Sequence, residues 1–249
     1  MLYECLKRCF KEPIRYESKE GALKDLGEKQ YVLNGLAARE AWRLFKIMAE
    51  FVEGFEELPK VYPAVTIFGS TRVRPGHPYY QKAEEIARLL AAEGFSVITG
   101  GGPGIMEAAN KGAAEAGAYS VGLNIKLPRE QVPNPYANVK LEFRYFFVRK
   151  VMMAKYAVAF LCLPGGFGTL DEFFEAVTLV QTHKIRPVPI VLVEKKFWAG
   201  LVEWMRERLL TEGMISAEDL ELFAVLDEPR EVVEYIKEKA RTYRLLSSR

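Results

Sequence analysis

From Pro63 onward, short apolar segments of strand length alternate with longer segments whose apolar residues recur at helical spacing. The apolar segments are Ala64–Ser70, a segment that begins at Phe95, Ser120–Ile125, Val139–Phe143, Ala157–Leu163, Val188–Glu194 and Phe223–Leu226. Because strands that are apolar throughout must be covered on both faces, this alternation is typical of a parallel sheet between helices. The sequence therefore predicts an α/β fold, a Rossmann-like doubly wound sheet whose ligands bind beyond the carboxyl ends of the strands.

Residues 1–60 lack this alternation of strand and helix segments. We therefore predict a helical extension at residues 1–60 ahead of a Rossmann-like domain at residues 61–249. From Asn34 to about Glu57, apolar residues recur at spacings of three, four and seven, which predicts an amphipathic helix. An apolar helix face needs a covering surface, either on the chain's own domain or on a neighbouring subunit. This helix is therefore a candidate oligomerisation arm.

The charge and apolar patterns argue against several classes of partner. The 249 residues carry a formal net charge of +2 with acidic and basic residues interspersed, so no dedicated nucleic-acid surface is expected. The apolar runs are too short to span a bilayer, and the N-terminal residues MLYECLKRCFKEP lack the apolar core of a signal peptide. We therefore expect a cytoplasmic protein without a membrane partner.

The cysteine and histidine content argues against a disulfide framework and against a metal centre. The cysteines are Cys5, Cys9 and Cys162, an odd number in a long chain, and the histidines are His77 and His183. Cys5 and Cys9 are spaced to share a helix face, but a metal site needs more ligands than this pair supplies. We expect neither a metal nor a cofactor.

Two predicted strands end in glycine-rich loops that open helices. One loop is Gly100–Gly104, which includes Gly101 and Gly102, and the other is Gly165–Thr169, which includes Gly166 and Gly168. Glycine lets backbone N–H groups approach a ligand, and the first turn of the following helix adds free N–H groups and partial positive charge. One such loop can hold glycine for packing alone, but two in one sheet favour a phosphate site. Gly69 and Ser70 end the first strand at the same edge and are candidates for contact with the phosphate or the sugar.

The loops do not fit the common nucleotide motifs. A dinucleotide fingerprint requires glycine where this chain has Ile105, Glu107 or Asp171, depending on the glycine at which the motif is started. A P-loop requires a lysine that neither loop contains. Dinucleotides and ATP become less favoured, and a monophosphate ligand fits better.

Several motifs together resemble a known family. Pro164–Glu172 reads PGGFGTLDE, of the form PGGxGTxxE, and Arg149-Lys150 precedes it. The chain also contains Pro128-Arg129-Glu130, GGGPGIMEAANKGA from Gly100 and FGS from Phe68. Over about residues 62–230 this arrangement resembles the LONELY GUY family of nucleoside 5′-monophosphate phosphoribohydrolases, many members of which carried the label "possible lysine decarboxylase".

The resemblance implies a Rossmann-like homo-oligomer, a dimer or a higher assembly. It implies hydrolysis of the N-glycosidic bond of AMP or a cytokinin-type riboside monophosphate to free base and ribose 5-phosphate. By position, Arg149 and Glu172 match the catalytic pair, while Glu130, Lys150 and the Gly165–Thr169 loop match substrate contacts. The usual Met-His before the Arg-Lys pair is replaced by Phe146-Phe147-Val148, a departure that concerns substrate specificity more than the reaction.

The chemistry of these residue types agrees with that reaction. Glycoside cleavage develops positive charge on the sugar, which a carboxylate such as Glu172, expected in the first helical turn, can stabilise while it orients water. Arg149 cannot readily give up a proton, so we expect a fixed charge that orients Glu172 or binds substrate. Glu130 is a candidate for the ribose hydroxyls, and Thr169 for a helix cap or a phosphate contact. Asp171 is explained by the helix dipole.

Two other functions remain open. The same phosphate loops would serve a non-catalytic nucleotide or phosphate-ligand carrier. The decarboxylase label would require pyridoxal phosphate on a reactive lysine such as Lys150 or Lys155, and the sequence does not mark either lysine as reactive.

Overall fold

The computed structural model describes residues 40–127 and 132–243, and its contacts place the residues from Ala41 onward in one compact unit. Cys5, Cys9 and Glu130 lie outside the described residues. The predicted N-terminal helix is described as α1, Glu40–Glu57, so its predicted start at Asn34 also lies outside. The predicted domain boundary near residue 60 stays a prediction.

The described residues form one sheet of seven strands in which every neighbouring pair is parallel. The strands are β1 Ala64–Phe68, β2 Ser96–Thr99, β3 Ser120–Ile125, β4 Val139–Phe143, β5 Ala157–Cys162, β6 Ile190–Val193 and β7 Ala224–Leu226. Their order across the sheet is β4-β3-β2-β1-β5-β6-β7. The predicted Rossmann-like parallel fold is confirmed.

Helices lie between consecutive strands, except between β3 and β4, whose connection contains no described helix. After α1 they are α2 Pro78–Ala92, α3 Ile105–Glu115, α4 Phe146–Lys155, α5 Phe167–Gln181, α6 Lys195–Trp204 and α7 Pro229–Thr242. A π-helical turn at Met205–Leu210 continues α6, and short 3₁₀ turns lie at Pro59–Val61 and Glu218–Glu221.

The central strands are apolar because they are covered on both faces. Every residue of β1, β2, β5 and β6 is buried, as continuous apolar runs predict. In the edge strand β4, buried Leu141 and Phe143 alternate with exposed Lys140 and Glu142, the pattern of a strand with one covered face. The core therefore lies along β1 and β5, in the middle of the sheet.

The strand order creates a topological switch point between β1 and β5. From β1 the chain adds β2, β3 and β4 on one side and then returns to place β5 on the other side of β1. Such a switch opens a crevice beyond the carboxyl ends of the two strands, where ligands bind in open α/β sheets. In this protein a hydrogen bond joins the turn after β1 to the loop after β5, because the N–H of Ser70 donates to the carbonyl of Pro164 at 3.0 Å.

Candidate active site at the switch point

A cavity of about 660 Å³ lies beyond the carboxyl ends of β1 and β5. Its walls come from the turn after β1, from α4, and from the second glycine loop with the first turns of α5. The predicted site residues that line it are Gly69, Ser70, Arg149, Gly166, Gly168, Thr169 and Glu172. The volume is in the usual range for small-molecule sites.

Other predicted substrate contacts lie outside this lining. Gly101 and Gly102 are buried in the first glycine loop, and Gly165 packs against Thr169 behind the second. Lys150 borders a small recess beside Glu172 rather than the main cavity. Substrate contact by these residues, and by Glu130 outside the described part, stays a prediction.

Arg149 of α4 and Glu172 of α5 face each other at the cavity wall. Arg149 Nη2 lies 3.8 Å from Glu172 Oε1, and the two side chains are only 13% and 11% exposed. The guanidinium carbon also lies 5.2 Å from the centre of the Phe146 ring, within the range of a cation–π contact. Arg149 Nε is buried and finds no hydrogen-bond partner among the described residues, which leaves one donor available for a ligand or water.

The surroundings of Glu172 bring its ionisation close to neutral pH. Burial raises the pKa of Glu172 to about 7, and the nearby positive charges of Lys150 and Arg149 only partly oppose this effect. Burial likewise lowers the pKa of Arg149, although the guanidinium keeps its charge. A carboxyl group with this pKa can accept or release a proton under physiological conditions.

Lys150 of α4 is held by two carboxylates of α5. Its Nζ lies 2.7 Å from Asp171 Oδ2 and 2.7 Å from Glu175 Oε2. Burial acts to lower the pKa of Lys150, but the hydrogen bonds to Asp171 and Glu175 outweigh it, and the net shift is upward. A lysine that forms Schiff bases needs a lowered pKa, so this environment is unfavourable for such chemistry. Asp171 therefore has an ion-pair partner and is not explained by the helix dipole.

The helix α5 begins two residues before Thr169, where the sequence predicts its start. The helix begins at Phe167 with Gly166 as its N-cap residue, and no side chain caps it. The prediction that Thr169 can cap the helix is therefore wrong: Thr169 is buried in the first turn. The sequence predicts Glu172 in the first turn of the helix, whereas the structure has it in the second.

The glycines of this loop fall into two groups: packing requires one of them, and the other two face open space. A Cβ on Gly165 would overlap Thr169 Oγ1, so packing requires a glycine there. A Cβ on Gly166 or Gly168 would meet no described atom within 4 Å, and neither residue has a positive φ. Their bare backbone therefore faces open space beside the uncapped N–H groups of the first turn of α5, and the first turn contains no acidic residue.

The first glycine loop forms hydrogen bonds with other segments of the protein. Gly101 and Gly104 have φ values of 69° and 75°, which favour glycine, and Asn134 donates hydrogen bonds to the carbonyls of Gly101 and Gly102. The first N–H of α3, on Ile105, donates to the carbonyl of Ser70 at 3.0 Å. The start of α3 therefore already has a protein acceptor, and Gly100 is the part of this loop that lines the cavity.

Several lining residues were not identified from the sequence. Arg72 lies in the turn after β1, and exposed Phe167 lies inside the PGGxGTxxE motif. Exposed Phe146, which the sequence marks only as a departure from the family pattern, precedes Arg149. The remaining apolar lining residues are Phe68, Met106, Ile125, Leu127, Met153 and Leu170. Positions next to each motif were the available signal, since Arg72 lies two residues after Ser70 and Phe146 three residues before Arg149.

Residues 40–127 and 132–243 offer little support for metal or thiol chemistry. In that part of the chain no group of His, Cys, Asp and Glu side chains is arranged to hold a metal ion. Burial inside β5 raises the pKa of the Cys162 thiol, which disfavours the reactive thiolate. Among the helices described, none combines the length and apolarity that crossing a membrane requires.

The sequence is similar to a family of known enzymes. The family model described as "Possible lysine decarboxylase" matches residues 106–236, which include Arg149 and Glu172. Cytokinin riboside 5′-monophosphate phosphoribohydrolase from Mycobacterium tuberculosis is 32% identical over 158 residues, 61% of this chain and 81% of that protein. The rice phosphoribohydrolase LOG is 29% identical over 170 residues, 66% of this chain and 69% of that protein.

Solved structures share the architecture. A structural-genomics target solved by X-ray crystallography is 24% identical, covers 70% of this chain and 98% of its own, and gives a TM-score of 0.54. The molybdenum cofactor carrier protein of Chlamydomonas reinhardtii is 20% identical, covers 72% of this chain and 98% of its own, and gives a TM-score of 0.52. At these identities the likeness shows the fold alone.

Proposed function

We propose that this chain, which belongs to the LONELY GUY family described as possible lysine decarboxylase, hydrolyses the N-glycosidic bond of a purine nucleoside 5′-monophosphate. AMP or a cytokinin-type riboside monophosphate would give the free base and ribose 5-phosphate. The observation that carries the proposal is the buried pair of Glu172 and Arg149 on the wall of a cavity that also exposes the bare backbone of Gly166 and Gly168.

Glu172 supplies the catalytic carboxylate of the proposed reaction. Breaking the bond between C1′ and the base nitrogen develops positive charge on the ribose, which a carboxylate in a shielded wall stabilises strongly. Water then adds to C1′, and Glu172 with its pKa of about 7 accepts the proton that this water releases. The overall reaction consumes one water, and one proton reaches the departing base.

Arg149 acts as a fixed charge in the proposed site. Its guanidinium lies beside the Glu172 carboxylate and keeps a positive charge, so it limits the upward pKa shift of that carboxyl. It is not an acid catalyst, because guanidinium does not release its proton at these pH values. The unpartnered Nε of Arg149 is a donor suited to a substrate oxygen.

The 5′-phosphate is proposed to bind between the start of α5 and Arg72. Gly166 and Gly168 allow close backbone approach, and the first turn of α5 has free N–H groups and the positive end of the helix dipole. Arg72 lines the same cavity, and its guanidinium forms no ion pair with a described residue. The other two cations near Glu172 already face carboxylates, so Arg72 is the charge best suited to a phosphate.

The base is proposed to lie against the apolar part of the cavity. Phe68, Met106, Ile125, Leu127 and Met153 give this wall flat aromatic and adaptable aliphatic surfaces. Half-exposed Phe146 adds an aromatic face beside Arg149. Such a wall suits a planar base and tolerates an apolar substituent on it.

We further propose that the protein assembles as a homo-oligomer through α1. The outward face of this helix exposes Trp42, Leu44, Phe45, Met48 and Val52, each more than half accessible. An apolar area of this kind on a soluble protein commonly marks an interface. The cytoplasmic location expected from the sequence stays a prediction.

A carrier function would use the same cavity without turnover, and one experiment separates it from the enzyme. The purified full chain is incubated with AMP and with a panel of other monophosphates, and free base is measured by chromatography beside Glu172→Gln and the remote exposed control Glu203→Gln. We expect base release by the wild type and by Glu203→Gln, with a loss of at least about a hundredfold in Glu172→Gln. Binding of AMP without base release from any monophosphate would favour the carrier.

A further inference from the structure

Glu50 of α1 is a buried carboxylate at the start of the helix that carries Arg149. The residue is 9% exposed. Its Oε1 accepts a hydrogen bond from the N–H of Arg144 at 2.9 Å, and its Oε2 accepts one from the N–H of Tyr145 at 3.4 Å. Tyr145 is the N-cap residue of α4 and provides no side-chain cap, so Glu50 supplies the acceptors from another helix.

Tyr145 connects this contact to the backbone of Arg149 through hydrogen bonds. The N–H of Tyr145 is held by Glu50, and the carbonyl of Tyr145 accepts the hydrogen bond from the N–H of Arg149 at 3.2 Å. The position of the first turn of α4 therefore depends on Glu50 at one end. Arg149 projects from that turn toward Glu172.

Two further contacts join the same two helices farther along. A Cβ on Gly54 would lie 2.6 Å from Met152 Sδ, so glycine allows α1 to approach α4 closely there. The Lys155 ammonium lies 5.2 Å from the centre of the Phe55 ring at the end of α4. Contacts with α1 therefore hold α4 at its start, middle and end.

The carboxyl oxygens of Glu50 supply the acceptors that this position needs. A buried carboxylate is costly unless it is hydrogen-bonded, and the positive end of a helix dipole favours a negative charge. Burial raises the pKa of Glu50, and the N–H groups of Arg144 and Tyr145 with the charge of Arg144 oppose this only in part, so the net shift is upward. The cost of burying this carboxyl group is offset in part by the two hydrogen bonds that it accepts at the start of α4.

We propose that Glu50 is a positioning residue for the candidate active site: by holding the first turn of α4 it keeps the Arg149 guanidinium beside Glu172. The predicted N-terminal extension would then contribute to the site without touching the substrate.

The test compares Glu50→Ala with Glu56→Ala, an exposed acid six residues further along α1. The first measurement is the pKa of the Glu172 carboxyl by ¹³C-detected NMR titration, with the signal assigned by its loss in Glu172→Gln. The titratable groups that interact with this carboxyl are Arg149, Lys150, Asp171, Glu175 and the buried thiol of Cys162. The second is the pH dependence of base release, which rests on the proposed function, whereas the NMR titration does not.

We expect Glu50→Ala to raise the Glu172 pKa above that of the wild type, because Arg149 moves away, and to lower kcat about tenfold or more with a smaller change in KM. Glu56→Ala should titrate as the wild type does. A folded Glu50→Ala with an unchanged Glu172 titration would overturn the proposal. If Glu50→Ala does not fold, Glu50→Gln, which keeps the shape and one acceptor, takes its place: an intermediate shift supports the proposal and no shift overturns it.

Discussion

Arg149 Nη2 lies 3.8 Å from Glu172 Oε1, yet the carboxyl group has a pKa of about 7 rather than a lowered one. A neighbouring guanidinium ordinarily favours the charged carboxylate, so burial of Glu172 outweighs the attraction. The distance is longer than a direct hydrogen bond, which limits what Arg149 contributes. The pair is therefore arranged to keep Glu172 near its ionisation point, and two predictions depend on this property.

The first prediction concerns the pH dependence of activity. If charged Glu172 accepts the proton of the attacking water, kcat for AMP should increase as pH rises through about 7 and then level off. The second ionisation of a phosphate, with a pKa of about 6, lies lower and is separable. A pH series of initial rates from about 5 to 9 measures this. A rate that falls between pH 6 and 8 would instead assign Glu172 to proton donation.

The second prediction concerns stability and does not depend on turnover. The folded pKa of Glu172 is raised above its unfolded value, so its stabilising contribution is complete below the unfolded pKa and is lost as pH rises through about 7. Glu172→Gln mimics the protonated form and should therefore stabilise the fold at pH 8, by an amount on the order of 1–3 kcal/mol, and little at pH 4.

Thermal unfolding of both proteins at the two pH values measures this difference. Asp171→Asn is a suitable control, because Asp171 is 60% exposed and its carboxylate faces Lys150. An equal effect of Glu172→Gln on stability at both pH values would show that burial does not shift the pKa of the Glu172 carboxyl group.

Arg72 is predicted to recognise the phosphate. Arg72→Ala should raise KM for AMP about ten- to a hundredfold, the range expected for losing a charge-assisted hydrogen bond. Arg74, exposed and outside the cavity lining, provides the matched control Arg74→Ala, which should behave as the wild type. Adenosine lacks the phosphate, so its hydrolysis should not respond to Arg72→Ala. Equal losses for both substrates would assign Arg72 a different role.

Two glycines of one loop are predicted to respond oppositely to alanine. Gly168→Ala places a methyl group in open space inside the first turn of α5, so Tm should stay constant or rise while affinity for AMP falls. Gly165→Ala places its methyl group on Thr169 Oγ1, so Tm should fall. Calorimetry of unfolding and of AMP binding on both variants measures the contrast. Unchanged affinity in Gly168→Ala would argue against phosphate binding at this loop.

The exposed face of α1 is predicted to be an assembly surface. Trp42→Glu combined with Phe45→Glu should lower the mass measured by light scattering, since charged side chains would be buried unpaired in an interface. Deleting the chain through Leu58 is a poorer test, because it removes buried Glu50, Gly54 and Leu58 from the described fold. An unchanged mass in the double variant would contradict the prediction.

The sheet could be predicted from the sequence because its strands are nearly pure apolar runs. The bounds of β3 and β4 agree with the predicted Ser120–Ile125 and Val139–Phe143, since covered strands end where apolar residues end. The start of α5 could not be predicted as well. Gly166, Phe167 and Gly168 read as a loop, but an uncapped helix begins within them, and this moves Glu172 into the second turn.

The parts of the site that the sequence missed depend on contacts between distant segments. Glu50 lies in an amphipathic pattern where a carboxylate is expected to face water, and only packing of α1 on α4 turns it toward Tyr145. Arg72 belongs to no motif, and its place at the cavity follows from the position of β1 in the sheet. Motifs therefore identified Arg149 and Glu172, which meet across two helices, but not Glu50 or Arg72, which belong to no motif.

The helix α5 carries both the proposed phosphate contact and the proposed catalytic carboxylate on one rigid segment. Gly166 and Glu172 are six positions apart, which is about 9 Å along a helix axis. The fixed separation of these two residues on α5 would therefore select one distance between the 5′-phosphate and the reacting C1′ carbon. Nucleotides in which that span differs, such as 3′-monophosphates, would anchor their phosphate and still leave the glycosidic bond out of register with Glu172.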